Sequence, residues 1–465
     1  MCGIAGIINN NDLKISLDNT AQKMGSHISY RGPDDNGVFY SKKLGVAITH
    51  RRLSILDLST SGKQPMVSSS GRFTISFNGE IYNHFDLKKE LNALNKKINW
   101  KSTSDTEVLL NMIENFGVLE TLNKCRGMFA FALIDNQNES LFLVRDRFGE
   151  KPLYWGMIGS GVYKSLVFAS DLNAITCLPF FDNKINRLSL TSLIDSSYIS
   201  APNSIYENIY KLPPGGLLEI SLPFNVNNEL PKTKTWWSLN SGISNSLDKS
   251  NIEEKLAIDN LENIFKDILL EQQKADVPLG VFLSGGIDST FITTLIQKIS
   301  SKPVSTFTVG FNESSFNEIN EAKQFAEYLG TNHNSVILCN QEVLKIIDDI
   351  PNIYSEPFAD SSQLPTYLVS REARNSGLKV ALSGDGGDEL FGGYNRYLWG
   401  PKTYKFLKFT PNYLVKFITR IISKISSNSI DKFGNTLSIK HLDQKLNKIL
   451  KLNKLFKNKK EFYLS

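Results

Sequence analysis

Val277-Pro-Leu-Gly-Val-Phe-Leu-Ser-Gly-Gly-Ile-Asp-Ser-Thr290 is an apolar run that turns through two glycines into a helical pattern. A short continuous apolar run reads as a strand buried on both faces. Outward from it the spacing predicts helix 252–272, strand 277–283, helix 289–300, strand 303–309, helix 317–329, strand 334–338, helices 341–349 and 363–376, and strand 378–382. Alternating β and α elements of this length form a doubly wound parallel sheet with helices on both faces. At the strand-to-helix turn Ser284–Ser289, backbone N–H groups and the helix N-terminus converge on an anion. No GxxxxGK[ST] occurs, so this is not a Walker A loop. Asp288 inside a phosphate loop repels its ligand unless a divalent cation lies between them, which implies Mg²⁺.

Upstream, residues 1 to about 200 read differently. Short runs such as Phe73–Phe77, Met128–Ile134 and Ser140–Val144 are separated by Gly, Asn and Asp turns, with amphipathic helices near 15–28, 84–95 and 105–116. Packed sheets with helices on their outer faces are expected. Residues 201–250, with Lys211-Leu-Pro-Pro-Gly-Gly216 and Ser/Asn-rich segments, read as a linker. The 465 residues therefore divide into two domains, 1–200 and 251–465. With 41% hydrophobic and 21% charged residues, a wholly disordered chain is excluded.

Residues 401–465 carry 15 Lys/Arg against 3 Asp/Glu, a net +12, whereas residues 1–400 sum to −7. Phe406, Leu407, Leu414, Phe417 and Ile421, and later Leu442, Leu446 and Ile449, recur at helical spacing. The tail thus reads as packed helices with basic outer faces rather than as a polyanion site. Lys416, Arg420 and Lys424 interrupt the longest apolar stretch, and the N-terminus lacks a basic signal region, so a cytoplasmic protein is expected. Cys2, Cys125, Cys177 and Cys339 are far apart and form no zinc spacing.

Cys2 becomes the first residue if Met1 is removed, and its thiol then lies beside an α-amino group able to act as a base near neutral pH. His50-Arg-Arg-Leu-Ser-Ile-Leu-Asp57 offers guanidinium groups suited to two-point binding of a carboxylate, or to a surface ion pair. In Phe73-Thr-Ile-Ser-Phe-Asn-Gly-Glu-Ile-Tyr-Asn83, Asn78-Gly79 is first of all a hairpin turn. Its other reading is an oxyanion hole made by the Asn78 side chain and the Gly79 N–H, with Glu80 facing an ammonium. Ser104-Asp105-Thr106-Glu107 is a capping box that accounts for Ser104 and Glu107 and leaves Asp105 for a ligand amino group.

MCGIAGI, Arg31-Gly-Pro-Asp34, HRRLSILD, FNGEIYN, SDTE, GMFAFAL and Arg145-Asp-Arg-Phe-Gly-Glu-Lys-Pro-Leu-Tyr154 resemble, in order, the glutaminase domain of class II glutamine amidotransferases. SGGIDS resembles the pyrophosphate loop of the ATP-pyrophosphatase family. Together with Ser383-Gly-Asp-Gly-Gly-Asp-Glu-Leu-Phe-Gly-Gly-Tyr394, Thr306–Gly310 and Glu356-Pro-Phe-Ala-Asp-Ser-Ser362, the chain over residues 1–400 resembles glutamine-hydrolysing asparagine synthetases.

The resemblance implies a four-layer αββα sandwich of the N-terminal nucleophile fold, followed by a doubly wound parallel sheet of ATP-pyrophosphatase type with a helical tail. It implies that Cys2 attacks the glutamine amide while Asn78 and Gly79 stabilise the oxyanion. Arg52, with Leu53, Ser54 and Ile55, would bind glutamine, and Glu80 and Asp105 its amino group. Phe282, Leu283, Val309, Ser383 and Gly384 would line ATP. Ser284, Gly285, Gly286, Asp288, Ser289 and Asp388 would hold pyrophosphate, with Mg²⁺ on Asp288 and Asp388, and Asp385 would assist ammonia attack on a β-aspartyl-adenylate.

The implied partners are small molecules (glutamine, L-aspartate or another carboxylate, and ATP) and a second copy in a homodimer, with no nucleic acid or membrane. Two departures stand out. Asp385 occupies a position where many aspartate-using members have Glu, which fits amidation of a uronic acid in polysaccharide synthesis as an alternative. The chain also stops before the family's C-terminal Lys-Val-Asp-Arg motif, so its second domain is expected to be incomplete there, and a remnant with glutaminase activity only is the remaining alternative.

Overall fold

The computed structural model describes residues 1–9, 16–94, 98–226, 229–244, 252–311 and 319–409. By chain contacts it forms two compact units, 1–383 and 384–465. The first half of unit 1 holds two six-stranded sheets. One has Gly3–Ile8 at its centre between Val46–Arg52 and Ser165–Ala169; the other pairs Phe73–Ile81 with Gly127–Asp135 and Ser140–Arg145. Both are antiparallel throughout.

The period of two in each strand builds the layers. Ile4, Ile8, Val46 and Ile48 meet Ala130, Ala132, Leu141, Leu143, Leu218 and Ile220 in one core between the sheets. From the opposite face of the first sheet, Ala5, Ile7 and Ala47 pack on Leu17, Ala21 and Met24 of the helix Leu17–Ser26. Phe73, Ile75, Phe77, Phe129 and Phe131 do the same on the second sheet, against the helices His84–Ala93 and Asp105–Phe116. The result is the expected αββα sandwich.

Two sequence readings change here. Asn78-Gly79 is not a hairpin turn: Phe73–Ile81 runs straight through it, paired in register from Phe73↔Asp135 to Ile81↔Gly127. Strands Ile209–Lys211 and Gly216–Ser221 also arise inside the stretch read as a linker. Leu218 and Ile220 alternate into the inter-sheet core, a short period-two signal that the neighbouring Pro-Pro-Gly-Gly turn obscures.

Later in unit 1 a four-stranded parallel sheet has the order Asn332–Leu338, Ser305–Phe311, Leu279–Phe282, Val380–Leu382. Val281 packs with Leu269 of the helix Glu254–Gln272 and with Ile292, Leu295 and Ile296 of the helix Ile287–Ile299. Phe307 packs on Ala373 of the helix Gln363–Asn375, so both faces are covered. The chain begins this sheet at Leu279–Phe282, adds two strands on one side, then crosses to add Val380–Leu382 on the other. That reversal is a topological switch point, where open α/β sheets bind ligands beyond the carboxyl ends of their strands.

Unit 2 begins with the short helix Gly387–Phe391 and the helix Asn395–Phe409. The helical pattern expected over 410–465 lies outside the described residues. Among the described residues no helix is long and apolar enough to cross a membrane.

Candidate active site

Cys2 immediately precedes the central strand Gly3–Ile8, at one end of the inter-sheet core. Its Sγ accepts the Leu53 N–H at 3.4 Å and lies 3.7 Å from the Leu53 carbonyl, while Arg31 Nε donates to the Cys2 carbonyl at 3.1 Å. Burial is the main cause that pushes the thiol above its ordinary value, against the Leu53 hydrogen bond, which lowers it. The adjacent amino group, here on Met1, is pushed down to about 5, chiefly by burial. The Met1 amino group is therefore neutral at pH 7.

A cavity of about 330 Å³ opens beside the thiol, and Arg52, Leu53, Ile55, Asn78, Gly79, Glu80 and Asp105 all line it. Ser54 contributes its N–H to Asp34 Oδ2 at 2.9 Å and is not among the lining residues. The strand Phe73–Ile81 supplies the cavity's polar wall through its periodicity. On the edge turned away from Gly127–Asp135, the Phe77 N–H donates to Gln64 Oε1 at 2.7 Å and the Ile81 N–H to Asp105 Oδ2 at 2.8 Å. Gly79 lies between them, so its N–H points to the same edge. Its register partner Phe129 spends its own N–H and carbonyl on Asp146. A Cβ at Gly79 would overlap the Met128 carbonyl, so only glycine fits.

Asn78 is 1% exposed, and both its Nδ2 and its Oδ1 are buried without a hydrogen-bond partner. Leaving such a group unsatisfied costs about 1–3 kcal/mol. His50 Nε2 and the Phe77 carbonyl are 3.0 Å apart, which makes Nε2 the donor, and burial lowers His50 to about 4, so the ring is neutral.

Ser104 caps the helix Asp105–Phe116 by accepting the Thr106 N–H at 3.2 Å. The capping box is not closed as expected: Glu107 accepts from the Lys101 and Ser102 amides at 2.9 and 2.7 Å, and the Ser104 N–H donates to Ser102 Oγ. Asp105 and Glu80 share the cavity. Burial, then the Asp105 charge, raises Glu80 to about 7, and burial also raises Asp105. Two such carboxylates favour a cationic ligand group between them.

Arg52 Nη1 donates to the Ser59 carbonyl at 2.9 Å, and Nη2 donates to those of Leu56, at 3.3 Å, and Asp57. Three of the five guanidinium donors thus shape the turn 56–59. A Cβ at Gly62 would overlap the guanidinium, which explains glycine there.

Lys151 also lines the cavity, although the sequence reading gave it no role. Asp146 positions it, accepting the Phe148 and Glu150 N–H groups on Oδ1 and that of Lys151 on Oδ2. Burial lowers Lys151, with Glu80 opposing. The only sequence signal for it was its place inside RDRFGEKPLY. Lys379, Val380 and Ala381 complete the lining from the parallel sheet, and no local pattern announces them.

The second group of predicted residues includes, in unit 1, Ser284–Ser289 and Ser383, which follow the carboxyl ends of the strands Leu279–Phe282 and Val380–Leu382. Ser284 and Ser289 brace their loop: their hydroxyls are 2.9 Å apart, the Ser284 N–H donates to Ser289 Oγ at 3.2 Å, and the Gly286 N–H donates to Ser284 Oγ at 3.3 Å. Gly285 has φ +79°, a left-handed conformation that L side chains rarely adopt. Gly286 caps Ile287–Ile299 without a side-chain acceptor, so the first-turn N–H groups face outward.

Phe282, Leu283 and Val309 have side chains in packed clusters, Leu283 against Ala322 and Ala326, and the Leu283 N–H and carbonyl are bonded to the Phe307 carbonyl and the Thr308 hydroxyl. Ser383 follows Val380–Leu382 across the switch point. In unit 2, Gly384 and Asp385 precede Gly386, whose φ is +89°. Asp388 lies so close to Gly393 that a Cβ there would overlap its Oδ1.

Among the described residues no three acidic, Cys or His side chains cluster to hold a metal. Asp288, half-buried in the first turn after Gly286, fits Mg²⁺ of the kind held by one or two carboxylates with phosphate and water completing its shell. Glu356 of the EPFADSS segment is not at these loops. It accepts the Ile205 N–H at 2.8 Å and pairs with Lys211 of the first domain.

Comparison with known proteins gives two family matches: a glutamine amidotransferase domain over residues 1–237 and asparagine synthase over residues 260–463. Asparagine synthetase [glutamine-hydrolyzing] 1 of Bacillus subtilis is 33% identical over 423 residues, covering 90% of this chain and 63% of its own length. A putative asparagine synthetase [glutamine-hydrolyzing] 2 of Methanocaldococcus jannaschii is 32% identical over 433 residues, covering 89% of this chain and 79% of its own. The chain thus spans less than two thirds of the first relative and about four fifths of the second. A solved glutamine phosphoribosylpyrophosphate amidotransferase from B. subtilis matches at TM-score 0.37 and 15% identity, covering 82% of this chain and 81% of its own.

Proposed function

Since the chain belongs to the glutamine-hydrolysing asparagine synthetase family, we propose that it releases ammonia from glutamine at Cys2 and uses it to amidate a carboxylate activated by ATP, with L-aspartate as the acceptor. The observation that carries this reading is the partnerless buried amide of Asn78 beside the Cys2 thiol, in a cavity whose other walls carry two carboxylates.

In the proposed reaction Met1 is absent and Cys2 bears the α-amino group, which takes the thiol proton as Sγ bonds to the side-chain carbonyl carbon of glutamine. The negative charge moves to the carbonyl oxygen, held by Asn78 Nδ2 and the Gly79 N–H. Collapse breaks the C–N bond, the amine returns its proton to the leaving nitrogen, and water hydrolyses the thioester to glutamate. Glu80 and Asp105 hold the glutamine ammonium, and Arg52 its carboxylate with the donors that the 56–59 turn does not use.

In the second domain, Gly285, Gly286 and the first turn of Ile287–Ile299 bind phosphate oxygens. Phe282, Leu283, Val309, Ser383 and Gly384 border the nucleotide, and Ser284 and Ser289 keep the loop in shape. Asp288 and Asp388 are the acids that would hold Mg²⁺, whose chemistry would be to neutralise phosphate charge. Asp385 assists the attack of ammonia on the acyl-adenylate.

The purified chain given L-aspartate, MgATP and either glutamine or ammonium is expected to form asparagine, AMP and pyrophosphate in equal amounts, read by mass spectrometry. AMP formation only with another carboxylate, such as a uronic acid on a nucleotide sugar, would move the acceptor assignment, as the Asp385 departure allows. No AMP with any carboxylate would sink the synthetase half of the proposal.

The Glu80 environment sets a pH dependence. Glutamine binding needs Glu80 ionised, so kcat/KM for glutamine should fall about tenfold per pH unit below about 7. Because its folded-state value lies above the ordinary 4.5, the folded protein binds this proton more tightly than the unfolded chain does. The associated stability is present at low pH and lost as pH rises through 7. Glu80→Gln should therefore raise the ligand-free Tm at pH 8 while weakening glutamine binding, and an unchanged or lower Tm would count against this placement of Glu80.

A further inference from the structure

The segment Leu53–Asp57 forms one wall of the cavity and is held from two sides, by residues of its own sheet, including Arg52 on the Leu56 and Asp57 carbonyls, and by the parallel sheet. The Leu53 N–H is on Cys2 Sγ, while the Ser54 N–H donates to Asp34 Oδ2, which also accepts Lys379 Nζ at 3.0 Å. The Ile55 carbonyl accepts the Asp276 N–H at 2.9 Å, and the Asp57 N–H donates to Asp276 Oδ2 at 2.8 Å. Asp57 has φ +56°, a left-handed conformation that a non-glycine residue keeps only when its surroundings impose it. Asp276 and Lys379 stand just before the strands Leu279–Phe282 and Val380–Leu382. Those two strands flank the switch point and lead into Ser284 and Ser383.

We propose that Asp276 and Lys379 are positioning residues for the glutamine site, through which the parallel sheet holds segment 53–57 in the shape that closes the cavity. Asp276 grips the segment at both Ile55 and Asp57, so it fixes the strained backbone beneath the Arg52 guanidinium. Lys379 acts on Ser54 through the shared Asp34 carboxylate. The cavity is thus built by one domain and completed by the other, and the rigid elements that complete it also carry the loops proposed to bind ATP. This inference rests on the reading of Cys2 as the glutaminase nucleophile.

The test is steady-state glutamate release by the full chain and by Asp276→Ala and Lys379→Ala variants. Removing a hydrogen bond to a charged group should raise KM for glutamine about tenfold or more, with kcat within a few-fold of wild type. Ammonium-dependent AMP formation and Tm of Asp276→Ala should stay near wild type, and Lys379→Arg should restore the KM that Lys379→Ala loses. Wild-type KM in both alanine variants would overturn the inference, as would parallel loss of glutamine-dependent and ammonium-dependent activity with a lowered Tm, which marks a purely structural role. A wild-type chain that releases no glutamate overturns the glutaminase reading and this inference with it. A wild type active on glutamine beside unaffected variants overturns the inference alone.

Discussion

Replacing Cys2 by alanine is expected to abolish glutamate release from glutamine while leaving amidation from free ammonium close to wild type. The nucleophile is removed outright, and no neighbouring group substitutes, because no other cysteine is among the residues that line the cavity. The methyl group of alanine fits where the thiol sat, so the strand Gly3–Ile8 and its pairing with Val46–Arg52 should persist, and Tm should change little. Parallel assays with glutamine and with ammonium chloride check this. Loss of both activities in a folded variant would mean that the two chemistries are not divided between Cys2 and the parallel-sheet loops.

Asn78→Ala should lower kcat for glutamine hydrolysis by about 10²–10³, the usual cost of removing one oxyanion-hole donor, with a smaller change in KM. The same substitution should not lower Tm. The wild-type protein keeps both polar atoms of this amide buried and unsatisfied until a ligand arrives, at about 1–3 kcal/mol, and alanine lifts that penalty while opening a modest cavity. Activity falling while stability holds or rises separates a group held ready for a transition state from one that supports the fold. A loss of less than tenfold in kcat would remove Asn78 from the oxyanion hole, and a large drop in Tm would mean that its amide has packing value that the ligand-free structure does not reveal.

The two halves of the molecule differed in how openly the sequence declared them. The run Val277–Thr290 marked the strand Leu279–Phe282 and the helix Ile287–Ile299 because a buried parallel strand is apolar on both faces and a glycine turn ends it sharply. In the sandwich, Asn78-Gly79 looked like a turn because local propensity cannot register a partner strand 50 residues away; pairing with Gly127–Asp135 overrode it. The linker reading of 201–250 yielded to Leu218 and Ile220 for the same reason, since their packing partners Leu141 and Leu143 are remote in the chain.

For the candidate site, the sequence by itself determined the chemical inventory: a thiol at position 2, an Asn-Gly pair, two acids that can share an ammonium, and glycine turns at the ends of apolar strands. Those are properties of residue type and short spacing, and they survive without coordinates. Only the tertiary structure decided which of them meet and what holds them. Alternation put Asn78 and Glu80 on the inter-sheet face beside Cys2. The odd-numbered edge of the same strand aimed the Gly79 N–H between the bonds made by Phe77 and Ile81. Lys151, Asp276 and Lys379 reach the cavity or its walls through contacts that span more than 140 residues. No sequence window contains both ends of such a contact, so their part in the site follows from the fold alone.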